Sequence, residues 1–192
     1  MPRGTIIQVF GAPGAGVSSV AEVLANVFAI NVVDTDKAHW ENTDPPYQRT
    51  RSLKGKREAF FAELPSSGPS VVAGDLSSWA PDAVSSIVAV IYLSCNPSDR
   101  VARIREREQR RFGRKIEEGG EMYERHMAFL QWAFEYESRN ESEDRSLQMD
   151  LNWLEKISAP SIRISSDHLP FWKVCCNSIQ FVGGVLHANV AG

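Results

Sequence analysis

An α/β fold, with a parallel sheet covered by helices on both faces, is predicted by three observations. Short, nearly continuous apolar runs alternate with amphipathic segments along the chain. The first apolar run passes through a glycine-rich turn directly into a helical pattern. Neither an internal repeat nor a low-complexity tract interrupts this order, so the 192 residues are expected to form one domain, 1–192, without a boundary.

The elements follow in sequence. Residues 5–10 (TIIQVF) form an apolar run ending at glycine, which suits a buried parallel strand. Val20, Val23, Leu24, Val27 and Phe28 recur at helical spacing and predict a helix over 18–29. A second strand is expected at 31–33, ending at Asp34. A turn-rich, basic segment and a helix over about 53–64 come next. Residues 69–75 (PSVVAGD) and 87–93 (IVAVIYL) read as two further buried strands. Pro97 marks the start of a charged helix running to about residue 110. A glycine-punctuated loop over 112–120, helices over roughly 121–138 and 143–157, a strand at 161–164 and a helix over about 171–187 complete the chain.

Composition narrows the function classes. Hydrophobic residues make up 43% of the chain and charged residues 23%, which argues against wholesale disorder. A formal net charge of −3 disfavours a dedicated nucleic-acid binder. Cys95, Cys175 and Cys176 are too few and too unevenly spaced for a disulfide framework or a zinc site. With no signal peptide and no long apolar run, a soluble cytoplasmic protein is expected, with no nucleic-acid or membrane partner.

The turn GAPGAGVSS (11–19) has the spacing of a phosphate-binding loop, G-x-x-x-x-G-K-[ST], met by Gly11, Gly16 and Ser18. Val17 stands where the lysine belongs. Such glycines let successive N–H groups converge on an anion, and the helix that follows presents its positive end to it. Gly11, Gly14, Ala15, Gly16, Val17, Ser18 and Ser19 are therefore candidate nucleotide contacts, with the Ser18 hydroxyl a candidate Mg2+ ligand. Lysine normally stabilises charge on the transferring phosphate, so its loss calls for another cation. Three other accounts remain open: a nucleotide-binding sensor or interaction module without catalysis, for which Val17 is the main support, a tight β–α turn with no ligand, and an NAD(P)-binding turn with Asp34 on a ribose hydroxyl.

Asp34 and Asp36 lie where the second strand should end, at the sheet edge that binds ligands in α/β proteins. One carboxylate there could hold magnesium through water while the other accepts a proton from an attacking hydroxyl. An N-cap and turn explain the same pair structurally. Asp75, closing VVAGD, is a second candidate toward magnesium.

Arg100, Arg103, Arg105, Arg107, Arg110, Arg111 and Arg114 fall within fifteen residues of an acidic chain. Ion pairs along a solvated helix account for some of them, with Arg105 expected to pair with Asp99 or Glu108. They do not account for RRFGR, where arginine enters a glycine loop. Guanidinium groups clamp phosphates, so Arg107, Arg110, Arg111 and Arg114 are candidates for phosphate contact, with Arg107, Arg111 and Arg114 in catalytic roles. Trp132, Trp153 and Trp172 are expected in the core, whereas Trp40, beside the acidic pair, could stack on a ring. Met122, Met127, Phe129, Leu130 and Phe134 are expected to form one buried helical stripe. His39, His126, His168 and His187 show no metal spacing.

On these residues the chain resembles the P-loop nucleotide-kinase-like proteins, the group containing adenylate kinase and shikimate kinase. More narrowly it resembles a bacterial branch of so-called AAA-family ATPases that often carries a small residue at the lysine position. The segments bearing the likeness are FGAPGAGVSS, VDTDKAHWENTDPPYQRTR, YLSCNPSDRVARIREREQRRFG, EGGEMYERHMAFLQWA and RSLQMDLNWLEKISAPSIRI. The resemblance implies a three-layer P-loop NTPase fold with five parallel strands, a lid near 111–120 and a substrate-binding segment near 34–64. It implies ATP and Mg2+, transfer of phosphate to a small-molecule acceptor, and a monomer or homodimer. By analogy with shikimate kinase, Asp34 matches a magnesium-associated aspartate and Asp36 the one that meets the acceptor hydroxyl. Asp36, Trp40 and Arg51 are the candidate acceptor contacts.

Overall fold

The computed structural model describes residues 4–140, 145–167 and 169–191. Strands β1 (Thr5–Gly11), β2 (Asn31–Asp34), β3 (Pro69–Ala73), β4 (Ile87–Ser94) and β5 (Ser161–Ser165) make a sheet in the order β2-β3-β1-β4-β5. Every pair is parallel. Helices α1 (Val17–Phe28), α2 (Thr35–His39), α3 (Leu53–Glu63), α4 (Pro97–Phe112), α5 (Tyr123–Phe134), α6 (Leu147–Lys156) and α7 (Phe171–Ala191) connect and cover it. This is a three-layer α/β fold with a five-stranded parallel sheet, and it places β1 at the centre with the glycine turn at its carboxyl end.

The strands alternate between two apolar layers, as their two-residue period demands. Ile7 and Val9 of β1 face Val20, Ala21 and Leu24 of α1 and Val174 and Val182 of α7. Ile6 and Phe10 turn the other way, toward Phe60 of α3 and Trp153 and Leu154 of α6. Gln8 shares that second face and is fully buried. Its Nε2 donates to the Gly74 carbonyl (3.0 Å), and its Oε1 accepts from Trp153 Nε1 (2.9 Å). Left unpaired, a buried amide costs about 1–3 kcal/mol, so this bridge pins α6 to the sheet.

Several local expectations are corrected. Asp34 is an N-cap, as its structural reading allowed, but what it caps is a short helix, α2, that the sequence did not predict. A 3-10 turn over Gly113–Ile116 occupies part of the predicted 112–120 loop. The 121–138 helix is α5 followed by a 3-10 turn at Glu135–Glu137, and α6 begins at Leu147. Residues 143 and 144, where that helix was expected to begin, lie outside the described residues, as does His168. The buried side of α5 is His126, Leu130 and Ala133, with Met122 just before it. These fall at steps of three and four, whereas Met127 and Phe134 sit off that stripe and are exposed. Trp153 is buried, but Trp172 is 62% exposed at the first turn of α7 and is no core residue.

Candidate functional site

The glycine turn leaves β1 under close constraint. Gly11 has φ 146°, and a Cβ there would lie 2.0 Å from the Leu93 carbonyl oxygen on β4. Only glycine lets the two backbones approach so closely. The turn then closes through Ala15 N donating to the Ala12 carbonyl (3.0 Å). Ala15 is buried and Gly14 lies over the Arg100 carbonyl. Gly16 takes the left-handed conformation (φ 99°) in open space and starts α1.

Helices α2, α3, α4 and α6 are each capped by a side chain, from Asp34, Ser52, Asn96 and Ser146. The start of α1 lacks both a side-chain cap and an acidic residue, whereas α5, also without a side-chain cap, carries Glu124 in its first turn. Orphan amides at a helix start need an acceptor, and an anion suits them electrostatically. Ser18 and Ser19 are exposed there. Val17 packs against the apolar layer between the sheet and α1, so its side chain adds cohesion where lysine would add charge.

The carboxylates expected at the site have different surroundings. Asp34 accepts the Asp36 amide (2.9 Å), which makes it the cap of α2. Asp75 is buried; Ser77 N (2.9 Å) and Ser77 Oγ (2.6 Å) donate to its Oδ1, and Ser78 Oγ to its Oδ2 (3.2 Å). Asp36 is reached by water yet crowded by surrounding protein, the condition of a cleft. Its carboxyl is raised above the ordinary aspartate value, first by lost solvation and then by Asp34, with Arg145 and Arg107 opposing.

Arg145 was not among the residues singled out from the sequence. Its Nη2 donates to the Gly11 carbonyl (2.8 Å) and lies 3.3 Å from Asp150 Oδ2. Asp150, fully buried on α6, also accepts Tyr136 OH (2.5 Å), which in turn meets Tyr92 OH (3.2 Å). Burial raises the Asp150 carboxyl most, and Arg145 and the Tyr136 hydroxyl offset part of that rise. Burial alone would lower the Arg145 guanidinium, but Asp150, Asp75, Tyr136 and Asp36 together hold it above its ordinary value. It remains a cation beside the glycine turn.

The arginine cluster divides in two. Arg100 is fully buried, paired with Glu137 Oε2 (2.6 Å) and stacked over Tyr136. Arg103 donates to Ser166 Oγ (3.0 Å). Beyond them the chain turns outward. Arg107 forks onto Glu108 Oε1 (3.1 and 3.0 Å), and Arg110 pairs with Glu106. Among the described residues the ion-pair partner of Glu108 is thus its neighbour Arg107, while Arg105, expected to pair with Asp99 or Glu108, is exposed. Arg111 Nη1 donates to Tyr47 OH (2.6 Å), and Arg125 Nη1 to the Tyr47 carbonyl (2.9 Å). Trp40 meets the Tyr47 ring edge-on at 5.8 Å, so the 40–50 segment is clasped to α4 and α5. Arg114 is exposed on the 3-10 turn after α4, and Arg51 is half-buried with its amide on the His39 carbonyl (2.9 Å).

Strand order bears on the dinucleotide alternative. A Rossmann site needs the acidic residue on the strand beside β1, but here β3 separates β2 from β1. Asp34 is therefore two strands away from the glycine turn's own strand. No helix among the described residues is long and apolar enough to cross a membrane.

No family model matches the chain. In sequence it is 27% identical over 161 residues to the uncharacterised protein YqaC of Bacillus subtilis (strain 168), covering 84% of this chain and 88% of that protein. Among solved structures it is similar to APE1195, with a TM-score of 0.53 at 13% identity over 96% of this chain and 98% of the other. A gluconokinase from Sinorhizobium meliloti 1021 gives a TM-score of 0.49 at 13% identity, over 100% and 98% of the two chains. A shikimate kinase from Bacteroides thetaiotaomicron gives 0.46 at 18%, over 95% and 98%. These are likenesses of fold.

Proposed function

We propose that this protein binds ATP with Mg2+ and transfers its terminal phosphate to a small-molecule acceptor, within a single domain spanning the chain. The observation that carries the proposal is the uncapped start of α1 behind the glycine turn of the central strand. Main-chain amides of Gly14, Ala15, Gly16, Val17, Ser18 and Ser19 cradle the nucleotide phosphates. The residues present also fit a magnesium ion: the Ser18 hydroxyl is exposed beside the loop, Asp34 has one carboxylate oxygen on the Asp36 amide, and Asp75, with both oxygens engaged, would serve through water. When bound, that ion neutralises charge on the phosphate oxygens.

The acceptor lies against the 34–64 segment, where Trp40 and Arg51 supply a ring and a guanidinium. Asp36 takes the proton from its hydroxyl. The raised carboxyl of Asp36 suits this work, because a base with a higher pKa pulls a proton more effectively near neutral pH. Arg107, Arg110, Arg111 and Arg114 close over the phosphates from the 111–120 side and exclude water, so that transfer to the acceptor outruns hydrolysis.

Isothermal titration with AMP, ADP, ATP and NAD, with and without Mg2+, tests the binding half. Single-turnover transfer from labelled ATP to a panel of nucleoside monophosphates and small hydroxy acids tests the chemistry. ATP binding without transfer or hydrolysis would leave a nucleotide-binding module that has lost its chemistry, the reading that packed Val17 favours. Preference for NAD over ATP would overturn the proposal. A Val17→Lys variant adds a control: turnover that appears only in the variant marks a lapsed kinase, whereas unchanged or reduced turnover marks a site complete without lysine.

A further inference from the structure

We propose that Arg145 supplies the standing positive charge for the terminal phosphate that the glycine turn, with Val17 in place of lysine, does not itself carry. The inference rests on the ATP-binding reading given above and adds to it the residue that recognises the third phosphate. The lid arginines differ in kind. Arg107, Arg110 and Arg111 are exposed and engaged with Glu108, Glu106 and Tyr47, so they reach the phosphates only by moving. Arg145 is held by its own partners beside the turn, with Nη2 2.8 Å from the Gly11 carbonyl where the turn begins.

Its surroundings fix both position and protonation. Asp150 holds the guanidinium from below at 3.3 Å, Tyr136 orients Asp150, and Tyr92 supports Tyr136. Arg139 donates to the Arg145 carbonyl and stacks over Trp132, which anchors the main chain. Ser146, fully buried, caps α6 immediately afterward through Met149 N (3.3 Å), and Trp153 ties the same helix to Gln8 on β1. Arg145 is thus tied to the strand that carries the turn, and it keeps 22% of its side chain accessible.

The neighbouring charges say which phosphate it meets. Arg145 stands in the field of Asp36, in α2 just past β2, and of Asp75, just past β3. Those strand ends lie on the acceptor side of the turn, opposite β4 and β5 in the sheet order. A cation there acts on the terminal phosphate and on charge developing during transfer.

The test compares AMP, ADP and ATP, each with Mg2+, by isothermal titration against the wild type and three variants. Arg145→Gln with Asp150→Asn removes both charges together and leaves no buried carboxylate unpaired. This double variant is expected to lose about tenfold or more in ATP affinity while AMP stays within about twofold, as the loss of a charge-assisted contact to one phosphate predicts. Adding Val17→Lys to it should recover part of the ATP affinity. Arg145→Lys keeps Asp150 paired and remains informative if the double variant fails to fold. It should lose about threefold for ATP and nothing for AMP, because an ammonium keeps the charge without the reach and shape of the guanidinium. Equal losses for AMP and ATP, or no loss for either, would overturn the role of Arg145 while leaving the nucleotide reading intact. A wild type that binds none of the three nucleotides would remove both.

Discussion

Gly11→Ala should be much more damaging than the same change five residues later. At Gly11 an added methyl meets the Leu93 carbonyl at 2.0 Å, and that carbonyl belongs to the neighbouring central strand. Holding alanine at φ 146° costs about 1–3 kcal/mol as backbone strain. Forcing β1 from β4 adds an overpacking term of about 1–3 kcal/mol. Together they give roughly 2–6 kcal/mol, which at an m value of ~2 kcal/mol/M shifts the urea midpoint down by about 1–3 M. Gly16→Ala supplies the comparison, because its added methyl meets nothing within 4 Å. Only left-handed strain of about 1–2 kcal/mol applies there, equivalent to a midpoint shift of roughly 0.5–1 M. Equilibrium urea unfolding followed by tryptophan fluorescence and far-UV circular dichroism measures both. A midpoint for Gly11→Ala at or above that of Gly16→Ala would refute the argument from the β1–β4 approach.

Other outcomes follow from the buried network and the cleft. Tyr136→Phe removes the donor to Asp150 and leaves the Tyr92 hydroxyl short of its partner, so it should cost about 1–3 kcal/mol in urea unfolding. Asp36→Asn should stabilise the fold near neutral pH. With its folded pKa raised, Asp36 holds a proton in the folded chain after the unfolded chain has released it. Stability therefore falls as pH rises from the ordinary aspartate value through the raised one. Midpoints of the variant and wild type should separate at neutral pH and converge at roughly pH 3, below the ordinary aspartate value. A gap of constant size across that range would exclude titration of Asp36 as the cause.

Much of the fold was legible because its determinants are local. The apolar runs of β1, β3 and β4 and the three-and-four spacing in α1 report burial directly, and the observed elements fall within a few residues of those expected. Where local signals competed, reading failed. Trp172 is large and apolar, yet the first turn of α7 leaves it in solvent. Met127 and Phe134 are apolar, but α4 packs against the other side of α5, where Leu130 and Ala133 meet Ile104. The arginine cluster looked uniform along the chain, and only packing separated buried Arg100 from the outward Arg107, Arg110 and Arg111.

Sequence by itself determined the glycine turn, because conformational freedom, strand burial and helix onset all act over neighbouring residues. It also determined that Val17 leaves the turn without its usual charge. Tertiary structure decided what stands nearby. Arg145 reaches Gly11 across 134 residues, and Trp153 reaches Gln8 across 145. Contacts of that span leave no periodic trace in the chain. They exist only because the sheet order makes β1 central and packs α6 against one of its faces, so the cation at the turn could be found only after folding had brought it there.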